Sequence, residues 1–118
     1  MSSVKDVVAV ARSRFVRISP YKLRAFVDGI RGKDANSALI WLKTCPAARV
    51  VAVLKTLKSA IANAVDKNPD LDAKKALVVS VAKVDQGPTF KYFKPGAMGR
   101  GVVQRRRLCH VEIGLSAV

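Results

Sequence analysis

The sequence predicts an α+β fold: three helices packed on a small antiparallel β-sheet, with a long protruding β-hairpin. Three observations carry that expectation. Apolar stripes at i, i+3, i+4, i+7 spacing fill residues 19–68. Strand-like runs flank that block: V-V-A-V-A-R-S-R-F-V-R-I at 7–18, A-L-V-V-S-V-A-K-V at 76–84 and L-C-H-V-E-I at 108–113. Between the last two lies D-Q-G-P-T-F-K-Y-F-K-P-G-A-M-G-R-G (85–101), rich in residues that interrupt a core strand.

The first element is a strand over Val7–Ile18. Val8 and Val10 share a parity with Arg12 and Arg14, while Ala9, Ala11 and Phe15 take the other. Such weak alternation suits a strand with one face on a core and part of the other on a polar partner. Ser19 then stands at a helix N-cap and Pro20 at the first helical position, where its missing N–H costs nothing. Leu23, Phe26, Val27 and Ile30 form the inward stripe, Lys22, Arg24 and Arg31 lie off it, and Gly32 ends the helix. Asp34 caps a short second helix, with Ala38, Leu39 and Leu42 inward. Pro46 breaks it from a third over Ala47–Asn68, whose stripe is Val50, Leu54, Leu57, Ile61 and Val65. That helix would span roughly 30 Å. Within it, S-A-I-A-N-A has two readings: Ala60, Ala62 and Ala64 admit a close neighbour, or they simply favour helix. K-N-P-D-L-D follows as a turn, and Asp70 and Asp72 are read there as solvated turn residues. Strands over Leu77–Val84 and Leu108–Leu115 complete the body. In the second, Cys109, Val111, Ile113 and Leu115 share the core face, leaving His110 and Glu112 on the other.

Composition narrows the function. A chain of 118 residues predicts one domain over 1–118. It carries 22 Lys+Arg against 8 Asp+Glu, a net charge of +14. Self-repulsion on that scale opposes compaction unless a polyanion neutralises it. Nucleic acid is the partner this favours, because phosphate neutralisation releases counterions. A membrane partner is not expected: the bases do not gather on one amphipathic helix, and no run has transmembrane length. Cys45 and Cys109 have no CxxC partner, and His110 is the lone histidine, so no metal site is expected. The cysteines read as buried or inert thiols of a reducing compartment, with a bridge between them as the alternative. M-S-S-V-K-D-V-V resembles neither a secretory signal nor a transit peptide, which places the chain in the cytoplasm or in an organelle that makes its own proteins. No nucleophile–base set can be assembled, so neither enzyme, cofactor nor small-molecule substrate is expected.

The segment 85–101 is not a phosphate loop: Gly96, Gly99 and Gly101 give GxxGxG, and no helix follows. Nor is it a linker. Its flanking strands would pair across a tip near Pro95–Arg100, making arms of Asp85–Lys94 and Gly101–His110. Each arm could reach roughly 33 Å, against a radius of gyration of about 13–14 Å for a compact chain of this length. The arms must project. They hold Lys91, Lys94, Arg100, Arg105, Arg106 and Arg107, with Phe90, Tyr92 and Phe93 interleaved. R-R-R alone would be a solvated charge run. Beside the aromatics and a second basic group (Arg12, Arg14, Arg17, Lys22, Arg24) it points to nucleic acid. The aromatics could stack on unpaired bases or pack on their own hairpin.

Three co-linear stretches also carry a resemblance: R-F-V-R-I-S-P-Y-K-L-R-A-F-V-D-G-I-R-G (14–32), L-K-S-A-I-A-N-A (57–64) and V-D-Q-G-P-T-F-K-Y-F-K-P-G-A-M-G-R-G (84–101). Together they resemble the large-subunit ribosomal protein twenty-two family in its bacterial-type form. The resemblance implies a structural, non-enzymatic protein of the large ribosomal subunit, in a cytoplasmic or organellar ribosome. Its implied partners are large-subunit rRNA, neighbouring large-subunit proteins and the nascent peptide. The body would bind rRNA near the mouth of the peptide exit tunnel, and the hairpin tip would line the tunnel. Carried over by motif, Ser19, Pro20, Lys22 and Arg24 meet rRNA. Gly87, Pro88 and Thr89 form the hairpin base. Lys91, Lys94, Pro95, Gly99 and Arg100 follow along the arm and tip, and Arg105, Arg106 and Arg107 match the basic returning strand. Gly96 and Met98 stand at tip positions where the family often has arginine, Tyr21 where it often has a base, and Cys109 where it often has a small hydroxyl residue. The competing expectation is a free-standing architectural DNA-binding protein, which would use such basic arms as a dimer.

Overall fold

The computed structural model describes residues 7–67 and 77–117. In chain order they form β1 (Val7–Val16), α1 (Pro20–Ile30), α2 (Ala35–Thr44), α3 (Val50–Lys67), β2 (Leu77–Pro95), a single 3-10 turn (Ala97–Gly99) and β3 (Gly101–Ala117). The predicted α+β class, three helices with a three-stranded antiparallel sheet, is what the chain adopts. β3 is the central strand, with β1 and β2 antiparallel on either side. Asp70 and Asp72 lie outside the described residues.

Helices cover one sheet face. β3 turns Cys109, Val111, Ile113 and Leu115 into the core, all fully buried, as its alternation predicts. Leu23, Val27 and Ile30 of α1 pack against the sheet, and Ala35, Ala38 and Leu42 of α2 join the same core, chiefly against α3. Gly29 brings α1 and α2 together: a Cβ there would stand 2.6 Å from the Trp41 ring. Gly32 adopts φ +83°, the left-handed conformation that lets the chain leave α1. The next residues then cover the outer edge of β2. Gly32 N–H donates to the Val79 carbonyl (2.8 Å), Val79 N–H donates to that of Lys33 (2.9 Å), and Asp34 bridges Val78. An exposed edge that could recruit another strand is thereby blunted.

Four expectations need correction. β1 ends at Val16 rather than Ile18, because a bulge between Ser13 and Val16 turns the chain toward α1. α3 begins at Val50 rather than Ala47, the chain passing through a turn at Ala48 and Arg49 after Pro46. Ser19 and Asp34 hold the N-cap positions, but neither side chain makes a capping bond. Finally, α3 is rotated from the predicted stripe: Val50, Val53, Thr56, Leu57, Ala60 and Ala64 are buried, Leu54 and Ile61 are half-buried, and Val65 is exposed. The physical reason lies in β1, which packs closely on the small residues. Ser13 and Thr56 hydroxyls bond at 2.6 Å, and the Asn63 amide donates to the Val10 carbonyl at 3.1 Å. Of the two readings of S-A-I-A-N-A, close approach holds for Ala60 and Ala64, whereas Ala62 is exposed.

β2 and β3 stay paired far beyond the body, from Leu77↔Ala117 to Pro95↔Gly101. The molecule measures 65 × 30 × 26 Å with a radius of gyration of 17.3 Å, well above the roughly 13–14 Å of a compact chain. The ribbon accounts for the long axis. At its root Gly87 and Pro88 stand against Leu108 in a register shift, and a Cβ on Gly87 would meet the Leu108 carbonyl oxygen at 3.0 Å. At its tip Gly96 N–H donates to the Arg100 carbonyl, and Gly99 takes φ +73°.

Candidate nucleic-acid interface

The start of α1 and the returning arm of the hairpin converge. Arg17, Ser19 and Lys22 come from the first, Arg105, Arg106 and Arg107 from the second, and Arg49 from the turn before α3. Together with Ile18 and Ala48 they line a cleft of about 840 Å³ without a single carboxylate. None of its basic side chains enters an ion pair among the described residues. A groove of one sign raises local counter-ion concentration and suits a phosphate backbone. Arg49 was not expected. Its signal was its place between the Pro46 break and the first apolar residue of α3, where a long side chain projects beside the helix start.

The other expected bases separate by role. Arg12 is tied across the outer sheet face to Glu112 at 3.2 Å, and Lys83 reaches the same carboxylate at 3.2 Å. Arg24 lies 5.3 Å from the Tyr21 ring and donates to the Val84 carbonyl at 3.4 Å. Pro20 is buried at the base of α1. Arg31, set aside as merely off the stripe, donates to the Ala82 carbonyl and pairs with Asp28. Arg14 lies outside the cleft, on the outer sheet face.

Along the ribbon the register sets Thr89 opposite Arg107, Phe90 opposite Arg106, and Lys91 opposite Arg105. Like charges directly opposite destabilise a strand pair. Phe90 is 59% exposed and Phe93 77%, so the body does not cover them. Lys94 and Pro95 lead to a tip where Gly96 and Met98 are neutral and Arg100 is the single base. Met98 sits at φ +58° and is 98% exposed, its side chain presented outward with nothing against it.

β1 places a second unusual residue. Phe15 takes φ +57° at the bulge, a conformation that costs an ordinary residue about 1–2 kcal/mol. Its N–H donates to His110 Nδ1 at 3.0 Å, and the two rings meet edge to face at 5.1 Å. Cys45 and Cys109 are both free. Burial pushes the Cys109 thiol up from its ordinary range, with Arg24 opposing that shift. Among the described residues, no group of three or more potential metal ligands occurs, and no helix is long and apolar enough to cross a membrane.

Comparison with known proteins places the chain in a family. Residues 11–116 match the family described as ribosomal protein L22p/L17e. The large ribosomal subunit protein uL22 of Synechococcus sp. (strain JA-3-3Ab) is 44% identical over 113 residues, covering 96% of this chain and 89% of the relative. That of Desulforamulus reducens is 46% identical over 108 residues, covering 92% and 94%. That of Desulfitobacterium hafniense is 47% identical over 105 residues, covering 89% and 90%. The basic cleft and projecting ribbon are therefore features of a chain that belongs to the L22p/L17e family of ribosomal proteins.

Proposed function

We propose that this chain is a structural constituent of the large ribosomal subunit, acting as a single rRNA-binding domain. The body seats on large-subunit rRNA through Arg17, Ser19, Lys22, Arg49, Arg105, Arg106 and Arg107. The ribbon passes onward between rRNA segments, with Lys91 and Lys94 on phosphates. The bend at Gly87, Pro88 and Thr89 aims it, and Pro95–Arg100 forms part of the wall past which the nascent peptide moves. Neighbouring large-subunit proteins complete the surroundings, and the site of action is the ribosome, cytoplasmic or organellar. The observation that carries this reading is the carboxylate-free cleft continued by a basic ribbon in which Lys91 faces Arg105. Such a ribbon is ordered best by a polyanion, which removes the repulsion between Lys91 and Arg105. A tip with neutral Gly96 and Met98 works by shape more than by charge.

Replacing Arg105, Arg106 and Arg107 by glutamine tests it. Binding to large-subunit rRNA should weaken, and the slope of log affinity against log salt should fall by roughly 2–3. An unchanged slope removes these arginines from the phosphates. A dimer that prefers duplex DNA would replace the ribosomal reading with the architectural one.

A further inference from the structure

The sheet face turned away from the helices carries chemistry that the basic cleft does not use. One row across it, Arg12–Glu112–Lys83, is closed by its two ion pairs. In the next row Asp85 stands opposite His110, and the β1 bulge sets Arg14 and Phe15 beside it. A cavity of about 370 Å³ opens there.

We propose that this cavity holds one unpaired RNA nucleotide whose base carries an exocyclic amino group, stacked on Phe15; the proposal rests on the rRNA-binding reading above. Phe15 is 60% exposed, so its ring is open to a partner. Its left-handed backbone is held by the bond from its N–H to His110 Nδ1 and by the edge-to-face ring contact. A disfavoured conformation persists only where its surroundings over-determine it. Here they present a rigid aromatic face to solvent. Because Nδ1 is the acceptor, the neutral imidazole carries its proton on Nε2 and offers a donor. Asp85 makes no ion pair among the described residues, so its carboxylate can accept from a base amino group. Arg14, exposed at the rim, takes the phosphate. Stacking requires a splayed base, so duplex nucleic acid does not fit. Uracil lacks the amino group that Asp85 would receive. A basic peptide would have to approach a chain of net charge +14.

The test is amide and side-chain NMR of the full chain titrated with hexaadenylate, hexacytidylate and hexauridylate. The first two should shift the Phe15 amide, the Phe15 ring and the His110 ring, with hexauridylate about tenfold weaker. Phe15→Leu keeps the N–H bond to His110 and removes the stacking face. It should weaken hexaadenylate binding about tenfold, and Phe15→Tyr should restore it. Shifts confined to the cleft around Arg49 and Arg105–Arg107, or equal affinity for all three oligomers, would overturn the proposal. So would unchanged affinity in Phe15→Leu. If that variant fails to fold, the wild-type titration decides alone. The glutamine variants at 105–107 test rRNA binding separately, so either reading can fail without the other.

Discussion

Between Leu77 and Val84, β2 sets Leu77, Val79, Ala82 and Val84 in the core; from Phe90 to Pro95 the same strand exposes every residue. Antiparallel pairing with β3 runs through both halves, shifted in register between Val79 and Val81 and between Gln86 and Thr89. What differs is the layer of helices. In the body, helices lie on the sheet and apolar area leaves water, the dominant favourable contribution to folding. The ribbon has no layer, and an isolated two-stranded hairpin is marginal in water. The contrast shows that backbone pairing shapes the ribbon without supplying the stability that the body draws from its core. On the proposed reading, rRNA supplies the missing layer.

Three tests would break or sharpen that contrast. The largest effect is expected in the core. Leu57→Ala should destabilise the free protein by about 2–5 kcal/mol, while Phe93→Ala should stay within about 0.5 kcal/mol. Urea unfolding of both variants measures the difference, and equal losses would mean that the ribbon is as integral as the body. Next is the contact of α1 with α2. Gly29→Ala drives a Cβ into the Trp41 ring and should cost about 1–3 kcal/mol, visible as a lower thermal midpoint. An unchanged midpoint would show that Trp41 moves aside freely. The smallest effect belongs to the ribbon. Lys91→Glu turns the facing pair with Arg105 from repulsive to attractive and should stabilise the free ribbon by about 0.2–1 kcal/mol. Slower amide exchange at 89–107 reads that gain, and no change at low salt would show that the two charges are already screened.

Several elements could be read in advance for local reasons. Pro20 starts α1 because its ring suits the first helical position, and Gly32 ends it because glycine tolerates positive φ. The alternation at Cys109–Leu115 named its own core face. The ribbon followed from arms too long to fold over a small body. The buried face of α3 was not legible in the same way. Leu54 and Val65 are more apolar than Ala60 and Ala64, yet the small residues are the buried ones. A helix turns toward its neighbour according to how closely that neighbour can approach, which its own hydrophobic pattern does not encode. Arg49 was missed for a related reason: it lies far in sequence from Arg105, and only packing makes them neighbours.

Order along the chain thus sets the class of fold, the excess of positive charge and the projecting ribbon. These follow from local periodicity, composition and chain reach, which need no knowledge of distant contacts. The pairing of Arg12 with Glu112, the clustering of Arg17, Arg49 and Arg107, and the exposed turn of Phe15 against His110 come from the folded arrangement. Each depends on sheet register and on the rotation of helices, and those are chosen by packing between segments that the linear sequence keeps apart.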